Sequence, residues 1–119
     1  MSLPYFPMYP TDFEADTSHL TLAEDGAYNR LLRLMWMTSG CSLPDDAAWI
    51  KRRMRCTDDE FSSVVLVVID EFFSRKSGRV FSPRLAKEFQ KSDVAHKRRV
   101  DAGSKGGKAK ASLSNDNSP

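Results

Sequence analysis

The sequence predicts a mainly α fold with a small β-hairpin, and three observations carry that expectation. Two stretches, Thr21-Leu-Ala-Glu24 and Thr57-Asp-Asp-Glu60, pair a threonine with a glutamate three residues on, which is a capping box that starts a helix. Apolar residues follow each box at helical rather than alternating spacing. Finally, Lys76-Ser77-Gly78-Arg79 lies between short apolar segments, with Gly78 able to supply the positive φ of a tight hairpin turn.

The central element is the stretch from Thr21 to Ser39. Ala27, Leu31, Leu34 and Met35 fall on one face, Tyr28, Leu32 and Trp36 on the next, and only the side of Asn29, Arg30 and Arg33 is clearly polar. Such a helix is covered on most sides, and Gly40 offers a left-handed stop just beyond it. Ahead of it, residues 1–19 hold prolines at positions 4, 7 and 10 together with Tyr5, Phe6, Tyr9 and Phe13, which predicts an extended aromatic arm laid across the domain. Packing is the simpler role for that arm. Docking onto a second copy of the chain is the sharper one.

After Gly40, Pro44 and the pair Asp45-Asp46 favour a new helix start, because carboxylates complement the positive end of a helix dipole. In the helix that follows, Ile50 and Met54 face the core, while Lys51, Arg52 and Arg55 form a basic face. The Val64–Ile69 run has strand-like composition. Yet Phe61, Val64, Val65, Val68 and Phe72 keep helical spacing behind a capping box, so the expectation is a buried helix, with a strand as the alternative. The hairpin comes next, with Arg75, Lys76 and Arg79 at its tip. Ser82-Pro83 then reads as cap and first-turn proline of a last helix, pinned by Leu85 and Phe89. Its apolar stripe ends near Gln90, so fraying is expected from about Lys97, and 102–119 reads as a flexible basic tail behind a folded body at 20–101.

At 119 residues the chain is long enough for one self-sufficient domain. Its net charge of +2 conceals an asymmetry. Residues 1–50 hold two basic and seven acidic side chains, 51–90 nine and six, and 91–119 seven and three, giving −5, +3 and +4. The carboxy-terminal half therefore attracts polyanions while the amino-terminal half repels them.

Catalytic chemistry finds little support. Cys41 and Cys56 form no CxxC, and His19 and His96 lie far from both, so no zinc site, redox pair or other cofactor site is written here. Gly103-Ser-Lys-Gly-Gly107-Lys108 is one residue short of a phosphate-binding loop and has Ala109 where Ser or Thr should hold magnesium. No leader and no apolar run of membrane-spanning length is apparent, so the expected location is the cytoplasm, away from membranes.

Three helices, a basic hairpin and a return helix in this order are winged-helix-like. A closer resemblance is carried by Asp16-Thr, His19-Leu-Thr, Glu24, Gly26-Ala-Tyr28, Trp36, Leu43-Pro-Asp-Asp46, Phe72-Phe73, Gly78-Arg79, Arg84-Leu85 and the Gly-Ser-Lys-Gly-Gly-Lys string. Together these resemble the YdaU-like family, a domain of unknown function found in phage and prophage proteins, often at the front of replication-associated polypeptides. The resemblance runs from about Tyr5 to Lys108. It implies a role near DNA replication and brings no catalytic residue.

The helix that would read bases in a winged helix carries Asp58, Asp59, Glu60, Asp70 and Glu71 here, and carboxylates are repelled by phosphate. The expected DNA contacts are therefore Lys51, Arg52, Arg55, Arg75, Lys76, Arg79, Lys97, Arg98, Arg99, Lys105, Lys108 and Lys110, binding backbone without reading sequence. The alternative is a protein-interaction or oligomerisation domain, serving a replisome partner or a second copy through the amino-terminal arm.

Overall fold

The Thr21 hydroxyl accepts the Glu24 N–H at 3.1 Å, and the Glu24 carboxylate accepts the Thr21 N–H at 2.9 Å, so the central helix begins where its capping box is written. The computed structural model describes the backbone of residues 5–116 and the side chains of residues 5–102. Its helices are α1 (Pro10–Thr17), α2 (Leu22–Met37), α3 (Ala47–Met54), α4 and α5 (Pro83–Asp116). α4 is composite, with an α-helical opening Asp58–Glu60, a π-helical turn Phe61–Val65 and an α-helical run Leu66–Phe72. Strands β1 (Leu43–Pro44), β2 (Ser74–Lys76) and β3 (Arg79–Phe81) form one antiparallel sheet in the order β1-β3-β2.

The fold is mainly helical with a small sheet, and it departs from the expected elements at four places. The arm is not extended throughout. Pro10 occupies the first helical position, where its missing N–H costs nothing, and α1 then turns Phe13 and Thr17 inward on one face. Pro44 does not open α3 but lies in a third strand, with Leu43 opposite Val80 and Pro44 opposite Arg79. Proline tolerates that place because an edge strand has a side with no ladder to feed. Asp46 caps α3 instead, accepting the Ala48 and Trp49 N–H groups. α2 stops at Met37, and Gly40 takes its positive φ of 78° inside a 3-10 turn, Ser39–Cys41, rather than as the helix stop itself. The last helix continues to Asp116, past the point at 102 where the sequence places a tail.

α4 is a helix despite its valines. Its capping box forms as α2's does, with Thr57 and Glu60 bonded reciprocally. The hydroxyls of Ser62 and Ser63 donate back to the carbonyls of Asp58 and Asp59, which loosens the regular ladder where the π turn begins.

The core lies between α2, α4 and the sheet. Leu31, Met35, Leu43, Val68 and Val80 are wholly buried. Tyr28 stacks on Phe72 with ring centroids 4.6 Å apart and tilts toward Phe13 and Phe73. Trp36 is held between Phe6 at 5.2 Å and the edge of Phe89 at 5.3 Å, which fastens both the arm and α5 to the end of α2. The start of α5 is set by Ser82, whose hydroxyl accepts the Leu85 N–H at 3.1 Å.

Candidate nucleic-acid interface

α3 is short and amphipathic, so its buried face fixes where its charges point. Ile50 and Met54 are buried, leaving Arg52, Arg53 and Arg55 exposed and Lys51 half-buried. Arg55 ends the helix in a left-handed conformation, φ 56°. The last carbonyls of a helix carry partial negative charge, and Arg30 of α2 donates to the Met54 carbonyl at 2.9 Å. Arg33 follows three residues on along α2 and is exposed. The structure thus brings two arginines from the acidic half of the chain to the basic end of α3. Their i, i+3 spacing on the polar side of α2 was legible, but the placement of α3 against them was not.

These cations differ in what they already hold. Lys51 pairs with Asp58 at 3.1 Å and lies over the Phe61 ring, and Arg53 lies over Trp49. Arg33, Arg52 and Arg55 take part in no ion pair among the described residues.

The hairpin tip is less available than its sequence implies. Arg75 bonds Asp70 at 2.9 Å and Asp45 at 3.4 Å, and the Asp70 bond above all raises its pKa. Arg79 lies along the 3-10 turn, donating to the Ser42 hydroxyl and carbonyl at 3.0 Å each and to the Ser39 carbonyl at 3.4 Å. Only Lys76 of the three is left without a partner among the described residues. On α5, Lys97 pairs with Asp93 one turn earlier, while Arg98 and Arg99 are exposed. The side chains of Lys105, Lys108 and Lys110 lie outside the described residues.

The carboxylates of α4 are exposed, yet four of the five are engaged. Asp58 holds Lys51, Glu60 its own cap, Asp70 holds Arg75, and Glu71 meets His19, whose ring stacks on Phe72. Of these carboxylates Asp58 and Asp70 face a lysine and an arginine, so the helix stays net acidic, and it offers no Lys, Arg, Asn or Gln to a base edge.

Residues 4–90 match the model of an uncharacterised family, described as Protein of unknown function (DUF1376). The chain belongs to that family. No curated protein and no solved structure matches it. In this DUF1376 chain the matched part takes in the arm, the whole helical core, the sheet and the opening of α5. Arg33, Arg52, Arg55 and Lys76 fall inside it, and Lys97, Arg98 and Arg99 beyond it.

Neither cysteine is poised for chemistry. Burial pushes the Cys41 thiol up to about 11 and raises that of Cys56 as well. No three His, Cys, Asp or Glu side chains gather as a metal site among the described residues, and no helix there is long and apolar enough to cross a membrane.

Proposed function

We propose that this DUF1376 chain is a non-catalytic, winged-helix-like module that binds DNA through its backbone and serves phage or prophage replication, as its resemblance to YdaU-like proteins implies. One observation carries the reading. Arg33, Arg52 and Arg55 stand exposed near one end of α3 and make no ion pair among the described residues. Like charges repel, and a surface that keeps such a group unpaired is complementary to a polyanion. The order α2, β1, α3, α4, β2, β3, with sheet order β1-β3-β2, supports the winged-helix part: a helix, a strand, two helices and a hairpin wing. Because α4 is acidic and has no Lys, Arg, Asn or Gln, contacts come from α3, Lys76 and the arginines of α5, and are independent of base sequence.

A fluorescence-anisotropy titration of the full chain with short duplex and single-stranded DNA tests this at several salt concentrations. The affinity should fall steeply with salt, and Arg52→Ala with Arg55→Ala should flatten the log–log slope by about 2. Absence of binding below tens of micromolar at low salt would discard the proposal. Deleting the chain after Val100 should cost much of the affinity.

A second reading has its own observation. Phe6 is anchored on Trp36, yet Tyr5, Met8 and Tyr9 around it are exposed, an apolar set suited to a replisome partner or a second copy. Light scattering decides the self-association part: a monomer at high concentration removes it. Truncation after Val100 should leave such a module unaffected.

A further inference from the structure

A groove of about 350 Å³ runs between α2 and the opening of α4, closed at its inner end by Met54 and Cys56. The α2 side is one stripe. Leu22, Gly26, Arg30 and Arg33 recur at helical spacing along it, a run of about 16 Å or three turns. Its first half is apolar and its second half cationic. Val64 and Val65 form the opposite wall, within the π-helical turn, a distortion that is frequent where helices bind something.

Three features of this groove are unexplained by folding. Leu22 is 92% exposed, a large apolar side chain on the first turn of a helix whose middle apolar residues, Leu31, Leu32 and Met35, are buried. Gly26 lies inside α2, where glycine costs about 1 kcal/mol against alanine. Its φ is not positive, and a Cβ placed there would meet nothing within 4 Å, so neither backbone nor internal packing requires glycine. What a side chain at 26 would fill is the groove itself. Arg33 has no ion-pair partner among the described residues, and Arg30 donates to the Met54 carbonyl while feeling the Glu60 carboxylate across the groove.

We infer that this groove docks an acidic amphipathic helix of a protein partner, its apolar face on Leu22, Gly26 and Val64 and its carboxylates against Arg30 and Arg33. The charge complementarity is specific. Glu60 on the rim is ionised and bonded to the Thr57 N–H, so two arginines face one carboxylate and the groove keeps a net positive charge. The lining mixes apolar Leu22, Ala27 and Val64 with polar and charged side chains, and such a mixed wall suits an amphipathic helix better than a phosphate backbone, which makes no use of the apolar part. A helix lying in a groove anchors through residues at i, i+3, i+4 and i+7, and a missing side chain at 26 lets its backbone approach closely. The inference goes beyond DNA binding and shares only Arg33 with it.

The test uses a fluorescein-labelled synthetic helix of about four turns, with leucines at i, i+3, i+4 and i+7 and flanking glutamates. Two control peptides replace the glutamates by lysine or the leucines by serine. The full chain should bind the acidic leucine peptide at micromolar concentration and neither control. Gly26→Leu, which favours the helix and so leaves the protein folded, should weaken that binding at least tenfold while leaving DNA binding unchanged. Arg33→Glu should also abolish it. Lack of peptide binding, equal binding of all three peptides, or indifference to Gly26→Leu each overturns the inference. So does a Gly26→Leu variant that loses DNA instead, which would assign the groove to nucleic acid. Failure of the DNA reading would show separately, as DNA affinity indifferent to salt and to Arg52 and Arg55.

Discussion

Arg30 donates from its guanidinium to the main-chain oxygen of Met54 at 2.9 Å, which ties the middle of the central helix to the last turn of α3. That carbonyl belongs to the group of helix-end acceptors that have no partner within their own helix. Removing a charged donor from a half-buried acceptor costs about 1–2 kcal/mol. Arg30→Ala should therefore lower the thermal midpoint by several degrees, whereas Arg33→Ala, whose side chain makes no ion pair among the described residues, should leave it within a degree or so. Differential scanning fluorimetry of the two variants side by side separates the structural arginine from the free one.

This contact also shows what the sequence could and could not reveal. Local signals were sufficient where the chain closes its own bonds. Both capping boxes form atom for atom, the Ser82 cap starts α5, and helical spacing correctly outweighed the strand preference of Val64 to Ile69. Two of the departures involve partners distant in sequence. Pro44 becomes a strand only because Arg79 and Val80 arrive beside it, and α1 forms because Phe13 has Tyr28 to pack on. The surroundings of the candidate site residues depend on distant partners in the same way. Arg75 and Arg79 are basic in sequence, but Asp45, Asp70 and Ser42 claim them, while Arg30 and Arg33 were counted with an acidic half whose carboxylates lie elsewhere.

The hairpin turn has two residues at positive φ, Ser77 at 54° and Gly78 at 73°, the pairing of a type I′ turn. A side chain at 78 would meet nothing within 4 Å, so Gly78→Ala costs only backbone strain, about 1–2 kcal/mol. Ser77→Asn or Ser77→Gly relieves strain already present and should stabilise by a few tenths of a kcal/mol. Chemical denaturation of the three variants should give that order. Equal midpoints for all three would mean that the wing contributes nothing to global stability.

The two capping boxes make the fold sensitive to acid. Glu24 and Glu60 are held below the ordinary carboxylate range, first by the backbone N–H of Thr21 and Thr57 and then by the threonine hydroxyls. A depressed folded-state pKa means that the native state prefers the ionised form. Their contribution is thus complete above the unfolded-state value of about 4.3 and is lost as pH falls through the folded value. Thermal midpoints should fall below about pH 4. Glutamine can still accept the cap bond but does not titrate, so Glu24→Gln with Glu60→Gln should flatten that fall. Parallel curves for variant and parent would place the acid sensitivity elsewhere.

The thiols give a probe of core opening. Only the thiolate reacts with an aromatic disulfide reagent, and a thiol at about 11 is ionised in roughly one molecule per thousand at pH 8. Cys41 is also walled off within the core, so its reaction requires unfolding. Cys56 is only half-buried and points its sulfur toward the Lys51 carbonyl at 3.9 Å, so it is raised less and can be reached from solvent. One thiol should therefore label slowly under native conditions and the second only with denaturant. Cys56→Ser should remove the native phase and leave the other, whose rate should then follow denaturant as global unfolding does. A Cys56→Ser protein that still labels without denaturant would mean that the turn at Ser39–Cys41 opens independently of the body.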